Sequence, residues 1–306
     1  MTQSVGRFAP SPSGYMHLGN LLSMLLAWLD SRALGGRLIF RMEDLDPDRS
    51  RPEYVQAMAD DLHWLGLDWD EGWPDPAYHQ SHRFDLYEDA FLTLRRRDLV
   101  YPCYCTRAQR LAASAPHPGE DHRDAGCPCQ RLTAAERAAL EADRRRPAWK
   151  IRVPDETVTV TDGHYGTVCQ NLARDVGDFI LRRSDGVFAY QLAVTVDDML
   201  MGVTRVVRGR DLLDSAPRQA WLIRTLGGTA PDFCHGPLLT SPDGKLSKRL
   251  GSLSTQVLRQ THTPETVLGQ LAQMAGLRPT PDPVTAQELL RDFSWDRVVR
   301  EDIPIL

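Results

Sequence analysis

The stretch PSPSGYMHLGN, at positions 10 to 20, places a histidine and two glycines directly before the apolar run LLSMLLAWL, which predicts a buried helix. The first turn of a helix offers unpaired N–H groups and a partial positive charge. Gly19 would let a phosphate approach the backbone there, and His17 and Asn20 add side-chain donors. These residues alone leave two interpretations open: an anion site, or an ordinary turn with a surface histidine.

A second segment, KLSKR at positions 245 to 249, displays three cations directly after a Pro-Asp-Gly turn. Lys245 and Lys248 could neutralise the charge that builds on a polyphosphate during attack at its α-phosphorus, which is an electrostatic contribution to catalysis. Taken alone, such a segment is more often a basic surface loop.

Four of the six cysteines occur as two pairs, Cys103-x-Cys105 and Cys127-x-Cys129, with 21 residues between the pairs. In a cytoplasmic chain this pairing indicates a metal site and not a disulfide framework. Four thiolates match the tetrahedral coordination of one structural zinc ion per chain. His117 and His122 are reserve ligands. The two other cysteines, Cys169 and Cys234, are expected in the core.

The composition is that of an ordinary soluble globular protein, with 42% hydrophobic and 25% charged residues among 306. The net charge of −5 excludes a uniformly basic nucleic-acid coat, so any RNA contact must use local patches such as the arginines at 95–97 and 144–146. No apolar run reaches the length of a membrane span and no signal peptide is visible. We therefore expect a cytoplasmic location and no membrane partner.

Hydrophobic periodicity predicts an α/β protein that begins with a strand at 4–9, a helix at 19–34 and a second strand at 37–44. This βαβ order implies a parallel sheet. A capping box at Ser50 and a serine at 81 indicate the starts of two more helices. Later segments are expected as a hairpin over 179–194, a strand over 202–209, and helices over 216–226, 264–275 and 285–293.

Together the segments PSPSGYMHLGN and KLSKR, about 230 residues apart, resemble the signatures of the class I aminoacyl-tRNA synthetases. HLGN stands where that class has HIGH, and KLSKR stands where it has KMSKS. RFAPSPSG, RMEDLD and VVRGRDLL narrow the resemblance to the glutamyl/glutaminyl branch, over nearly the whole chain. Asn20 departs from the second histidine of HIGH.

Only about 60 residues follow Lys248, too few for the large anticodon-binding domain that ordinary glutamyl-tRNA synthetases carry. The chain is therefore similar to the glutamyl-queuosine tRNA(Asp) synthetases. That resemblance implies activation of L-glutamate by ATP with magnesium, and transfer to queuosine at the wobble position of tRNA(Asp). Two alternatives stay open: a truncated glutamyl-tRNA synthetase that charges tRNA 3′ ends, and a non-catalytic zinc-bearing RNA-binding module.

The same resemblance implies a Rossmann-type parallel-sheet catalytic domain with an inserted zinc-bearing subdomain and a short helical C-terminal region. We expect the first half of the catalytic domain at 1–100, the insertion at 101–175, the second half at 176–230, and the KLSKR loop with a helical tail at 231–306.

The resemblance also assigns roles to individual residues. Arg7 would pair with the side-chain carboxylate of glutamate, flanked by Ala9 and Ser11, and Glu43 would hold the ammonium group. Tyr190 and Arg208 would complete the pocket. Without the resemblance, Arg7 and Glu43 would be read as an ordinary ion pair, and Tyr190 as a core aromatic.

The remaining assignments concern ATP and the metal. The residues implied for ATP are His17, Gly19, Asn20 and Lys248, and those implied for catalysis are His17, Lys245 and Lys248. The family usually binds zinc through three cysteines and a tyrosine, and here a second cysteine of the later pair would replace the tyrosine.

Overall fold

The computed structural model describes residues 3–105, 127–143, 146–240 and 254–305. Several sequence predictions fall outside these ranges, namely those for Lys245 and Lys248, for the reserve ligands His117 and His122, and for the first two arginines of the patch at 144–146.

The described helices and strands alternate through the first half of the chain, as the βαβ prediction requires. The described α-helices are α1 Leu18–Ala33, α2 Pro52–Trp64, α3 Phe84–Arg96, α4 Ala134–Ala142, α5 Tyr190–Leu200, α6 Ala216–Thr225, α7 Thr255–Thr261, α8 Pro264–Met274 and α9 Ala286–Arg291. The described strands are β1 Val5–Phe8, β2 Arg37–Phe40, β3 Glu71–Gly72, β4 Val100–Cys103, β5 Ala148–Ile151, β6 Thr157–Asp162, β7 Gly166–Asn171, β8 Phe179–Arg182, β9 Arg205–Gly209, β10 Asp232–Gly236, β11 Leu239–Thr240 and β12 Ile303–Pro304.

The central layer is parallel, which confirms the predicted fold class. β1, β2 and β3 pair in parallel, and β10 pairs in parallel with both β9 and β6. β1 lies beside β9, because the Thr204 N–H donates to the Val5 carbonyl at 3.0 Å. The carboxyl ends of β1, β2, β9 and β10 consequently meet at one edge, where ligands bind in open α/β sheets.

Helix α1 is buried on most of its circumference, as its uninterrupted apolar run predicts. Leu21, Leu25, Trp28 and Leu29 are each 0% exposed. The helix contacts β1, β2 and β9 on one side and α9 on the other. It is therefore held firmly, and its first residues have a fixed position at the carboxyl edge of the sheet.

A second, antiparallel sheet of β4, β5 and β8 packs against α3 and α5. A separate small core beside the paired cysteines contains Tyr101, Cys103, Tyr104 and Cys129. Strands β6 and β7, which also fall in the segment 101–175, belong to the sheet that contains β9 and β10. The division of the chain at 101–175 stays a prediction.

Two predicted helix starts are wrong. The N-cap of α2 is Arg51, without a side-chain cap bond, so Ser50 forms no capping box. Pro52 explains this, because a proline prefers the first helical position and makes the preceding residue the cap. Helix α3 begins at Phe84, because Ser81 lies in a 3₁₀ turn, where its side chain donates to Asp44.

The predicted hairpin over 179–194 is also wrong in its second half. Phe188 bridges back to Arg182 of β8 and the Ala189 N–H donates to the Leu181 carbonyl at 2.8 Å, but α5 begins at the next residue, Tyr190. The alternating segment GVFAYQLAV resembles a strand in its pattern, but residues 192–198 are buried helix. Tertiary burial outweighs the local strand pattern here.

The C-terminal region is helical, with α8 and α9 where the periodicity predicts them. It ends with β12, which pairs with β11. No helix in the described ranges combines the length and apolar character needed to cross a bilayer.

Candidate active site

The N-terminus of α1 is capped by His17. The ring Nδ1 accepts the Gly19 N–H at 3.1 Å, and the His17 N–H donates to Asn20 Oδ1 at 3.1 Å. Burial lowers the pKa of His17, so the ring is neutral near neutral pH. Because Nδ1 accepts, the proton lies on Nε2, and this N–H is the ring's donor for a ligand.

Gly19 and Asn20 both have local roles in this cap. A Cβ at position 19 would lie 3.1 Å from Nδ1 and Cε1 of His17, so the glycine makes room for the ring. Asn20 uses Oδ1 for the cap, which leaves its amide NH₂ as the group that can donate to an anion. The roles of these residues in ATP binding stay predictions.

The two lysines predicted to be catalytic lie outside the described residues, but the residues at both ends of their segment are described. Ser254 forms an antiparallel bridge with His17, and the Thr255 N–H donates to the Met16 carbonyl at 2.9 Å. At the other end, Leu239 of β11 approaches within 4.0 Å of the Cβ position at Gly19. The segment that carries both lysines therefore leaves and rejoins the fold beside the N-terminus of α1.

Arg7 is buried on β1, and its guanidinium has fewer hydrogen bonds among the described residues than it can form. Its Nη1 donates to the Val207 carbonyl at 2.9 Å, and its Nε lies 3.5 Å from Asp198 Oδ1. Within the described ranges, Nε has no hydrogen-bond partner. Leaving a buried donor unpaired costs about 1–3 kcal/mol, so this guanidinium is suited to accept a ligand anion.

Glu43 follows β2 at the same edge, with its side chain only 7% exposed. Its Oε1 accepts from Arg41 Nη2 at 3.2 Å. Burial raises the pKa of the Glu43 carboxyl, and the charges of Arg41 and Arg7 only partly oppose this effect. Among the described residues Arg7 and Glu43 are therefore not an ion pair with each other, since each has a different partner.

Two buried aspartates on α5 pair with arginines around this cluster, and neither aspartate was predicted from the sequence. Asp198 Oδ1 accepts from Arg41 Nη1 at 2.7 Å, and Asp197 accepts from Arg83 Nε at 2.7 Å. The signal that could have found them is the adjacent pair of carboxylates within an apolar helical stretch, because buried carboxylates need partners.

Tyr190 and Arg208 lie in the same cluster. Tyr190 is the first residue of α5 and not part of a hairpin. Burial, followed by the negative charge of Glu43, raises the pKa of the Tyr190 hydroxyl, while the charges of Arg208 and Arg7 oppose this. Four of the six residues predicted for the glutamate pocket are thus brought together, namely Arg7, Glu43, Tyr190 and Arg208.

Ala9 and Ser11 follow β1 in the loop that leads to α1. Ala9 is partly buried and Ser11 is exposed. Between them, the Pro10 carbonyl accepts the Glu43 N–H at 3.0 Å. This bond ties the loop to the end of β2, and the contribution of Ala9 and Ser11 to a ligand site stays a prediction.

The four paired cysteines converge, with their sulfur atoms all within 4.8 Å of one another. The Sγ–Sγ distances are 3.4 Å for Cys103 and Cys127, 3.7 Å for Cys105 and Cys127, and 3.6 Å for Cys105 and Cys129. Four sulfurs about 2.3 Å from a central zinc ion are about 3.8 Å apart in a regular tetrahedron. The donor set and its spacing therefore fit zinc.

The two remaining cysteines differ from each other. Cys234 is 0% exposed in the core, as predicted. Cys169 is exposed on β7, so the prediction of a core position is wrong for it. Residues in β7 alternate in exposure, and Cys169 falls on the outward face.

Comparisons with known proteins agree with this geometry. Residues 4–302 match the family model described as tRNA synthetases class I (E and Q), catalytic domain. A protein of Symbiobacterium thermophilum named glutamyl-Q tRNA(Asp) synthetase is 50% identical over 98% of this chain and 95% of its own length. A Deinococcus radiodurans protein of the same name is 49% identical over 97% of each chain.

The solved structures give the same fold. The crystal structure of a glutamate tRNA ligase from Elizabethkingia meningosepticum, in complex with its amino acid, matches with a TM-score of 0.83 and 25% identity. The match covers 100% of this chain and 67% of that one. The chain is therefore a ligase that belongs to the class I tRNA synthetases of the glutamate and glutamine type, within the glutamyl-Q tRNA(Asp) synthetase family.

Proposed function

We propose that this enzyme activates L-glutamate with ATP to glutamyl-adenylate and transfers the glutamyl group to queuosine at the wobble position of tRNA(Asp). The observation that carries the proposal is the cluster of Arg7, Glu43, Tyr190 and Arg208 at the edge of the sheet where β1 and β2 end. It combines cations, an anion and a hydroxyl at the edge of the sheet where ligands bind.

The charges of this cluster suit a free amino acid with an acidic side chain. The unpaired Nε of Arg7 offers a donor to the side-chain carboxylate, and a guanidinium fork matches a carboxylate in shape. Glu43 carries a carboxyl group with a raised pKa, which an ammonium group would stabilise in its ionised form.

Activation then needs little beyond positioning and charge stabilisation. The glutamate α-carboxylate attacks the α-phosphorus of ATP, and pyrophosphate leaves, without a covalent enzyme intermediate. The Nε2–H of His17 and the positive end of the α1 dipole would meet the phosphates. Lys245 and Lys248 would neutralise the developing charge. Magnesium would arrive with the ATP, bound mainly through its phosphates.

The choice of queuosine and of tRNA(Asp) is supported by the printed name of the relatives, which are 50% and 49% identical to this chain. A single-stranded loop base can enter a protein site directly, which would present the queuosine hydroxyl to the adenylate. A cytoplasmic location stays a prediction.

Zinc would be held by Cys103, Cys105, Cys127 and Cys129. A closed set of four thiolates supplies structural cross-linking and no open coordination position for chemistry. The ion would therefore stabilise the sheet of β4, β5 and β8 and not act on the substrate.

The test begins with exchange of labelled pyrophosphate into ATP without tRNA. We expect exchange with glutamate and none with glutamine. Labelled glutamate should then pass to queuosine-containing tRNA(Asp), also after removal of its 3′-terminal adenosine, and not to the same tRNA with guanosine at the wobble position. Loss of transfer on trimming would favour an enzyme that charges 3′ ends, and absence of exchange would favour a non-catalytic RNA-binding module.

A further inference from the structure

A buried histidine and aspartate form a hydrogen-bonded pair that contacts Arg208. His235, on β10, has its Nδ1 2.6 Å from Oδ2 of Asp162, at the end of β6. Both side chains are 0% exposed. Neither contributes to the adenylation chemistry described above, so this fully buried polar pair needs another explanation.

The hydrogen bonds define the protonation of this pair. Asp162 Oδ1 accepts the backbone N–H groups of His164 at 3.0 Å and Tyr165 at 2.9 Å. Burial alone would raise the pKa of Asp162, but the hydrogen bond from His235 and these backbone bonds outweigh it and lower the pKa. Asp162 is therefore ionised, and Nδ1 of His235 donates to it.

The other ring nitrogen of His235 then faces Arg208. Arg208 Nε donates to His235 Nε2 at 3.0 Å, so Nε2 must present a lone pair and the ring must be neutral. A protonated ring would oppose one N–H to another. The charged groups that act on His235 are Asp162 from β6, Arg208 from β9 and Arg7 from β1, one anion and two cations.

Two further bonds complete the support of Arg208. Nη1 donates to Gln219 Oε1 at 2.7 Å, and Nη2 donates to the Leu212 carbonyl at 3.1 Å. Gln219 is held in turn by Gln191, at 2.9 Å. One bond from each of the three nitrogens fixes the plane of the guanidinium, and two of its five N–H groups remain for a ligand.

We infer that Asp162 and His235 are positioning residues for glutamate recognition: Asp162 fixes the His235 tautomer, and His235 fixes the orientation of Arg208. This inference rests on the proposed function, since it takes Arg208 to contact glutamate. A carboxylate that accepts a hydrogen bond from one histidine nitrogen sets the tautomer of the ring and so defines the role of the other nitrogen. Here that second nitrogen accepts a bond from an arginine.

The kinetic test compares His235→Leu, His235→Gln and the matched control His164→Gln. His164 is also buried near Asp162, but its ring contacts the Val299 carbonyl and not Arg208. In pyrophosphate exchange, His235→Leu should raise the KM for glutamate by about 10- to 100-fold, the scale of one lost bond to a charged group. The KM for ATP and the kcat should change little.

His235→Gln should restore most of the glutamate affinity, because its amide oxygen can accept the bond from Arg208. The control His164→Gln should leave the KM for glutamate unchanged. If the wild-type protein shows no glutamate-dependent exchange, the proposed function fails. If it does and His235→Leu keeps a normal KM for glutamate, only the present inference fails.

A measurement on the wild-type protein tests the inferred tautomer of His235 even if His235→Leu does not fold. Nitrogen-15 NMR of histidine-labelled protein should show His235 as the neutral Nδ1–H tautomer at neutral pH. A signal from an imidazolium, or from the Nε2–H tautomer, would overturn the inference.

Discussion

At the scale of single residues, the contacts of Arg41 explain why the negative charge of Glu43 is only partly compensated. The guanidinium is 0% exposed and is shared between Asp198 at 2.7 Å and Glu43 at 3.2 Å, with Asp197 at 3.7 Å. Burial alone would lower the pKa of Arg41, but these three carboxylates together raise it. Burial raises the pKa of Glu43, and the charges of Arg41, which also contacts two aspartates, and of Arg7 lower it only in part. The ionised carboxylate is therefore suited to the predicted contact with an ammonium group.

The first prediction concerns Glu43→Gln. A carboxyl with a raised folded-state pKa contributes stability below its unfolded pKa and loses that contribution as the pH rises through the folded value. At neutral pH the ionised group therefore costs stability. Glu43→Gln should keep or raise the free energy of unfolding at neutral pH, while it weakens glutamate binding by about 10- to 100-fold.

Thermal unfolding at neutral and mildly acidic pH and calorimetry with glutamate check this prediction. Glu53→Gln, on the exposed start of α2, is the control and should change neither property. A clear loss of stability at neutral pH in Glu43→Gln would show that Glu43 is structural and contradict the assignment.

At the scale of elements, α1 depends on His17 for its N-cap and presents the same side chain to the site. The two roles use different ring nitrogens, since Nδ1 accepts from Gly19 and Nε2 carries the donor proton. This separation allows an experiment that removes one role and keeps the other.

The second prediction compares His17→Asn with His17→Ala. Asparagine is a good N-cap residue and should preserve thermal stability, whereas alanine should cost about 1 kcal/mol. Both variants lack the Nε2 donor, so both should slow glutamate-dependent pyrophosphate exchange by about 10²- to 10³-fold. Normal exchange in His17→Asn would remove His17 from the chemistry and leave it as a cap alone.

The sequence predicts the elements whose determinants are local. The apolar run of α1 and the strands on either side of it are correctly placed, because their periodicity and bounding glycines lie within a few residues. Helix α5 was missed because its strand-like alternation is overruled by burial against distant elements.

The same limit applies to the site. Arg7, Glu43 and Arg208 were found through motif resemblance, whereas Asp197 and Asp198 were not. Their partners Arg83 and Arg41 lie 114 and 157 positions away in the chain. The adjacent carboxylates are visible in the sequence, but no local pattern identifies their arginine partners, and only the fold brings the pairs together.

At the scale of the whole molecule, the buried hydrophobic residues of the described ranges form four clusters. The large core surrounds α1, whereas the small core of Tyr101, Cys103, Tyr104 and Cys129 lies with the cysteine cluster. Tyr101 donates to Asp178, directly before β8 of the same sheet, at 2.7 Å. The large and the small core should therefore respond differently to loss of the metal.

The third prediction concerns zinc. The purified protein should carry about one zinc ion per chain, and Cys127→Ser should lower that content, because removal of one thiolate opens the coordination shell. Glutamate-dependent pyrophosphate exchange should largely survive, whereas transfer to tRNA should fall.

Cys169→Ser is the matched control, because this cysteine is exposed on β7 and lies outside the cluster. Metal analysis and the two activity assays check the outcome. Equal loss of both activities in Cys127→Ser would show that the two cores unfold together.

The bond from Arg7 to the Val207 carbonyl joins residues 200 positions apart, which has a consequence for synthesis on the ribosome. At about 5–20 residues per second, roughly 10–40 s pass between the translation of β1 and that of β9. During this interval the strongly apolar α1 has been made together with β1 and β2, but β9, which also packs against it, has not. The nascent chain therefore keeps part of its most hydrophobic helix uncovered for most of its synthesis, and we expect it to bind chaperones at the ribosome exit.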